Sequence, residues 1–252
     1  MENDSSLQSL EPPGTSFFER MVNVFTSPGE LYTEVAQSPV RTSSWFIPYI
    51  IAIIIALIST YAILSNQAFR NQALEPQYQA MQERVAKGEM TEDQMNAATE
   101  MMESSSLVVI SGVVMSIVFV SVSLFLGSLL FWLAGKIFMK STAGYSKILE
   151  VYGLTMLIGV AGSIITLLLI FFTGSVLASP GGSLLILDSF DRKNLSHLFL
   201  AAMNIMSIWQ MVVVGIGIAK CAGKPATTGI TISLSLWLVF WVLIPILIGS
   251  AA

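Results

Sequence analysis

Five apolar stretches without a single charged residue divide this chain: Trp45–Ser65, Ser106–Gly135, Val151–Leu187, Leu198–Ala219 and Pro225–Ala252. All 12 Lys+Arg and all 16 Asp+Glu residues fall outside them. Each stretch is long enough for the roughly 20 residues that a helix needs to cross a ~30 Å hydrocarbon core. Helices that are apolar all round need either a large covering shell or lipid around them, and this chain has too few amphipathic helices to supply the shell. The pattern predicts an all-α polytopic membrane protein. Its membrane domain, residues 45–250, is a bundle of five transmembrane helices at about 45–65, 106–135, 151–178, 198–219 and 226–249.

The polar segments carry their own signals. Residues 1–15 are acidic and contain Pro and Gly, the composition of a disordered tail. Residues 16–44 hold short cytoplasmic helices. Ser16-Phe-Phe-Glu19 has capping-box spacing, and at 100° per residue Phe17, Phe18, Met21, Val22 and Phe25 share one arc, with Glu19, Arg20, Asn23 and Thr26 on the other. Beside a membrane span such a helix is expected to lie in the interface; packing on the cytoplasmic end of the bundle is the alternative. Pro28 opens a second helix at its first position, ending before Ser38-Pro39. The loop 66–105 reads as an extracytoplasmic helical hairpin. Leu74, Tyr78, Met81 and Val85 form one stripe, Gly88 breaks it, and Thr91 with Gln94 starts a second arm carrying Met95, Ala98 and Met102. Its methionines could suit Cu(I), but at helical spacing they read as packing residues.

Composition agrees with a membrane domain: 54% hydrophobic and 11% charged, against about 25% charged in soluble proteins. The loop 66–105 carries Arg70, Arg84 and Lys87 against Glu75, Glu83, Glu89, Glu92, Asp93, Glu100 and Glu103, a balance equal to the whole net charge of −4. With no basic cluster, nucleic acid is not an expected partner. No basic residue precedes Arg20, so the first span does not read as a cleaved signal peptide. The single cysteine, Cys221, leaves no intrachain disulfide to consider. Lys136, Lys140, Lys147, Lys220 and Lys224 lie in loops on the N-terminal side, with Arg20 and Arg41, while the opposite short loop has only Arg192 and Lys193 beside Asp188 and Asp191. The positive-inside rule then gives a cytoplasmic N-terminus, an extracytoplasmic C-terminus and a multi-pass location in the cell (inner) membrane.

Small and polar residues recur inside the spans. Gly112, Ser116, Ser123, Gly127 and Ala134 share one face of the second span; Thr155, Gly159, Gly162, Thr166 and Thr173 share one face of the third. Close helix packing is the favoured reading, a hydroxyl-lined groove the other. In the fourth span Asn204, Ser207 and Gln210 form a polar stripe, with His197 above; hydrogen bonds to Thr228, Thr231 and Ser235 of the fifth span would satisfy it. No charged residue sits inside any span as read, so an ion-coupled cycle lacks its usual carriers. One His and one Cys cannot build an ordinary metal site. His197 near Asp188 and Asp191 imitates part of a triad at a place where such residues cap helices. No enzyme, cofactor or metal is expected.

Three pieces resemble the Yip family, small five-span proteins named for interacting with Ypt/Rab GTPases, in its bacterial branch. They are Phe25-Thr-Ser-Pro28-Gly-Glu-Leu-Tyr32 before the first span, Gly144-Tyr-Ser-Lys-Ile-Leu-Glu-Val-Tyr-Gly-Leu-Thr155 entering the third, and Ala219-Lys-Cys-Ala-Gly-Lys-Pro-Ala226 between the last two. The resemblance implies a non-enzymatic membrane scaffold that binds other membrane or cytoplasmic proteins, with the lipid bilayer as its medium and homo-oligomerisation open. The acidic helices Ser16–Gln37 are where a cytoplasmic partner is expected. A small permease or channel using polar residues of the fourth and fifth spans is the alternative.

Overall fold

The computed structural model describes residues 15–251, and all its regular elements are helices. Most of the tail expected over residues 1–15 lies outside the described residues; Thr15 itself is bonded to Glu34 and Arg41. Two short helices come first, α1 (Phe17–Thr26) and α2 (Pro28–Gln37). The Ser16/Glu19 capping box closes at the start of α1, satisfying amides that a helix N-terminus otherwise leaves orphaned. Next come α3 (Ser43–Ser65), the pair α4 (Gln67–Ala86) and α5 (Glu92–Glu103), and α6 (Ser105–Met139). Gly88, in the left-handed region at φ 75°, turns the chain between α4 and α5, and Thr91 with Gln94 caps the second arm.

Then follow α7 (Tyr145–Thr173), α8 (Leu195–Ala202), α9 (Ile205–Cys221), α10 (Ala226–Trp237) and α11 (Ile244–Ala251), the last two joined by a π-helical segment over Leu238–Leu243. Among the described residues, four helical stretches are long and apolar enough to cross a membrane: Ser43–Ser65, Ser106–Met139, Tyr145–Thr173 and Ala226–Leu247. The apolar α9 is shorter.

The third and fourth spans depart furthest from the bounds expected from the sequence. The third helix begins at Tyr145 instead of 151, which brings Lys147 and Glu150 into its first turns, and it stops at Thr173 instead of 178 because Gly174 takes φ 73° as a left-handed cap. The fourth is not continuous: α8 ends at Ala202, and the chain straightens through Met203 and Asn204 before α9 starts. Straightened backbone there is held by an antiparallel bridge between Gly181 and Asn204, with the Gly182 amide on the Met203 carbonyl and the Ile205 amide on that of Pro180. Non-helical backbone at such a depth is tolerated only where protein satisfies its polar groups.

The centre of the molecule is the first half of α7. From Ile148 to Ile158 every residue is buried, an all-round burial that an apolar helix reaches only when other helices surround it. Glycines let those neighbours in: a Cβ on Gly153 would stand 2.5 Å from the Trp45 Cα, and one on Gly217 would stand 2.3 Å from Val151 Cγ1.

Candidate functional sites: a buried ion network and a hydroxyl-lined cavity

The three sequence pieces that carry the family resemblance, far apart in the chain, meet at one end of the bundle. Arg20 of α1 is wholly buried. Its guanidinium donates to Ser44 Oγ at 3.1 Å, Glu150 Oε1 at 3.0 Å and Glu34 Oε1 at 2.8 Å; only its Nε lacks a partner. Glu150, also wholly buried, takes a second bond on Oε2 from Lys147 at 2.8 Å. Lys147 spends its other two protons on the carbonyls of Val35 and Ser38, at 2.8 and 2.9 Å. Those carbonyls are at the C-terminal end of α2, where a cation also meets the negative end of the helix dipole. Tyr32 completes the joint: it is buried against Gly217 of α9 and donates its hydroxyl to the Val151 carbonyl at 3.1 Å. Burial pushes the Tyr32 phenol well above its ordinary pKa, so it stays a donor.

These charges change two readings made from periodicity. Arg20 falls on the polar arc of α1, and a solvated position follows from that; instead it is the residue by which α1 enters the bundle, together with Val24. Lys147, taken above as a loop charge, is a structural cation inside a helix. Apolar side chains of α1 point outward beside Glu19 and Thr26: Phe18 is 72% exposed, and Val22 and Phe25 are also exposed. Phe17 is half-buried, while Met21 packs against the core.

The second polar site is a cavity of about 340 Å³ between α3, α6, α7 and α9. Ser116, Gly159, Gly162, Thr166, Asn204 and Ser207, all singled out by the sequence pattern, are in its wall. Asn204 is the N-cap of α9: its side-chain oxygen accepts from the amides of Met206 at 2.9 Å and Ser207 at 3.2 Å. The carboxamide thus serves its own helix instead of a neighbour.

The remaining candidates are dispersed. Gly112 lies against Leu64 and Thr60, Gly127 against the Tyr152 ring, Gly159 against Gln210 and Gly162 against Met206. Thr155 is buried and bonds the Tyr152 carbonyl; Ser123 is half-buried. Thr228, Thr231 and Ser235 stand exposed on the outer face of α10. The stripe that faces α9 is Gly229, Ser233 and Trp237. Ser233 donates to the Met211 carbonyl at 2.7 Å, and a Cβ on Gly229 would stand 2.0 Å from the Gly215 carbonyl oxygen. The i, i+4, i+8 spacing of that stripe is visible in the sequence, where it overlaps the hydroxyl stripe of Thr228, Thr231 and Ser235. His197 accepts the Asp191 backbone amide on Nδ1 at 3.0 Å, so no triad geometry forms there. Among the described residues no cluster of His, Cys, Asp and Glu is grouped to hold a metal.

This architecture, an apolar helix bundle with a pair of short helices locked onto one end, defines a polytopic all-α membrane protein. The family model of the Yip1 domain matches residues 22–247, and the chain belongs to that family. No curated protein and no solved structure matches it.

Proposed function

We propose that this protein is a non-enzymatic scaffold of the cell membrane that binds other membrane or cytoplasmic proteins through the end formed by α1 and α2. Family membership supports the class, since Yip1-domain proteins are non-catalytic membrane proteins that meet other proteins in membranes. The observation that carries the reading is the buried network. Four charged side chains hold the two N-terminal helices in one fixed position, and a preformed surface is what a docking site needs to avoid the cost of ordering on binding. On that surface Glu30 and Glu34 border a shallow hollow with Gly29, Thr33, Gln37 and Lys220.

In this reading α9 is the fourth of five crossings, α1 and α2 are cytoplasmic, the α4–α5 pair lies on the outer face, and Phe18, Val22 and Phe25 dip into the lipid interface. The permease alternative draws less support, because Thr228, Thr231 and Ser235 are turned away from the cavity that Asn204 and Ser207 line.

Copurification from native membranes tests the proposal. Partners captured by the unaltered protein should be lost from a Glu30→Lys variant that still folds. Retention of every partner by that variant and by a Thr33→Arg variant would remove α2 as the docking surface. For sidedness, Lys224→Cys in a Cys221→Ser background should react with an impermeant maleimide only in permeabilised cells; labelling in intact cells would reverse the topology.

A further inference from the structure

Several polar groups in the wall of the cavity between α3, α6, α7 and α9 have no partner within the protein. Among the described residues, the hydroxyls of Ser59, Thr60, Ser163, Thr166 and Ser207 make no hydrogen bond, and neither does the Asn204 side-chain nitrogen; Ser59 Oγ is fully buried in that state. Buried hydroxyls and amides in apolar surroundings are costly until they find a partner. The volume, about 340 Å³, falls in the range of small-molecule sites.

Position and chemistry narrow the occupant. The α3 wall runs from Ala56 to Ile63, and α3 ends at Ser65, so at 1.5 Å per residue the cavity extends from about 3 to about 13 Å inside the helix end. In a bilayer that is the zone where ester carbonyls give way to acyl chains. Phe119 and Ser163, both exposed, line it, so it opens on the side where lipid stands. Ile63, Leu167, Ile170 and Met206 supply apolar wall beside the hydroxyls.

Among the described residues, no Lys, Arg or His lines the cavity. The one helix N-terminus that reaches it, that of α9, already has its Met206 and Ser207 amides filled by Asn204. A phosphate would find no counter-charge here.

We propose that this cavity binds the glycerol-ester end of an uncharged lipid of the diacylglycerol class. The hydroxyls and the Asn204 amide donate to the ester carbonyls, and the acyl chains leave between α6 and α7. The site stands independently of the scaffold reading, since it lies inside the bundle away from α1 and α2.

The full-length protein in nanodiscs, photolabelled with a diazirine-bearing diacylglycerol, tests this. The label should fall on peptides from α7 and α9. Thr166→Val with Ser207→Ala, two near-isosteric changes, should cut it about eightfold, the loss of two membrane hydrogen bonds of average strength. Ser163→Ala, at the exposed mouth, should reduce it on its own and keeps the test valid if the double variant is unstable. Unlabelled dioleoylglycerol should compete, and phosphatidylglycerol at the same mole fraction should not. Labelling that follows the exposed α6 face at Leu126 and Leu133, or that ignores these variants, would overturn the site. Equal competition by phosphatidylglycerol would overturn its preference for an uncharged lipid.

Discussion

Two polar clusters lie along α7, and they are built on opposite terms. At its N-terminal end Arg20, Glu34, Lys147 and Glu150 spend nearly all their donors and acceptors on one another and on backbone carbonyls. Between Gly159 and Ile170, beginning about 14 Å further along the axis at 1.5 Å per residue, the hydroxyls around the cavity bond to almost nothing. A saturated buried network contributes position, because any shift strands a charge. An unsaturated one keeps its bonding capacity for something that arrives. The first joins helices; the second is a place for a ligand.

The comparison breaks most decisively at Glu150. Glu150→Leu leaves Arg20 and Lys147 buried without their shared counter-ion, and should cost about 3–5 kcal/mol, read as a large drop in melting temperature in detergent. Arg20→Leu should cost a similar amount. If the network is one unit, the double variant should cost well below the sum of the two. Additive losses would mean that the two residues act separately.

Packing without polarity comes next. Gly229→Leu drives a side chain into the Gly215 carbonyl, backbone that cannot swing aside, and should cost about 1–3 kcal/mol. Denaturation in mixed micelles would show it, and no loss would mean that α9 and α10 are held less closely.

At the cavity the effects on stability should be smaller. Asn204→Ala removes the cap of α9 at about 1 kcal/mol. Thr166→Val should leave stability nearly unchanged, because its hydroxyl makes no hydrogen bond within the protein. A large loss from Thr166→Val would make the cavity a structural element like the network.

Smallest is a pH effect at Glu34. Burial alone would raise its carboxyl, but the hydrogen bonds from Thr15 and Arg20, with the charges of Arg20 and Arg41, hold it below the usual value. Its stabilisation is therefore present above the ordinary carboxylate pKa of about 4.3, and is lost as pH falls from there through the lower folded value. A Glu34→Gln variant should melt below the unaltered protein at neutral pH, with the gap closing through that acid window. A gap independent of pH would show that Glu34 acts through shape alone.

The class of protein and most of its helices are legible in the amino-acid pattern alone. Uncharged runs of 20 or more residues have few other solutions than membrane helices, and caps such as Ser16/Glu19 and Thr91/Gln94 are local, so they read directly. The three pieces that resemble the family were legible one by one but not as a joint, because contacts between them, such as Tyr32 to the Val151 carbonyl, join residues far apart in the chain. Helical periodicity assigned Arg20 to a polar face, and only the docking of α1 onto α7 decided that this face is buried. Tertiary structure likewise decided that Asn204 ends a broken span, since the break rests on the Gly181 bridge from a preceding loop. It also turned Gly229 and Ser233, rather than Thr228 and Thr231, toward α9. Two stripes one residue apart on the same helix look equally good in sequence. The close backbone approach that only Gly215 and Gly229 permit chooses between them.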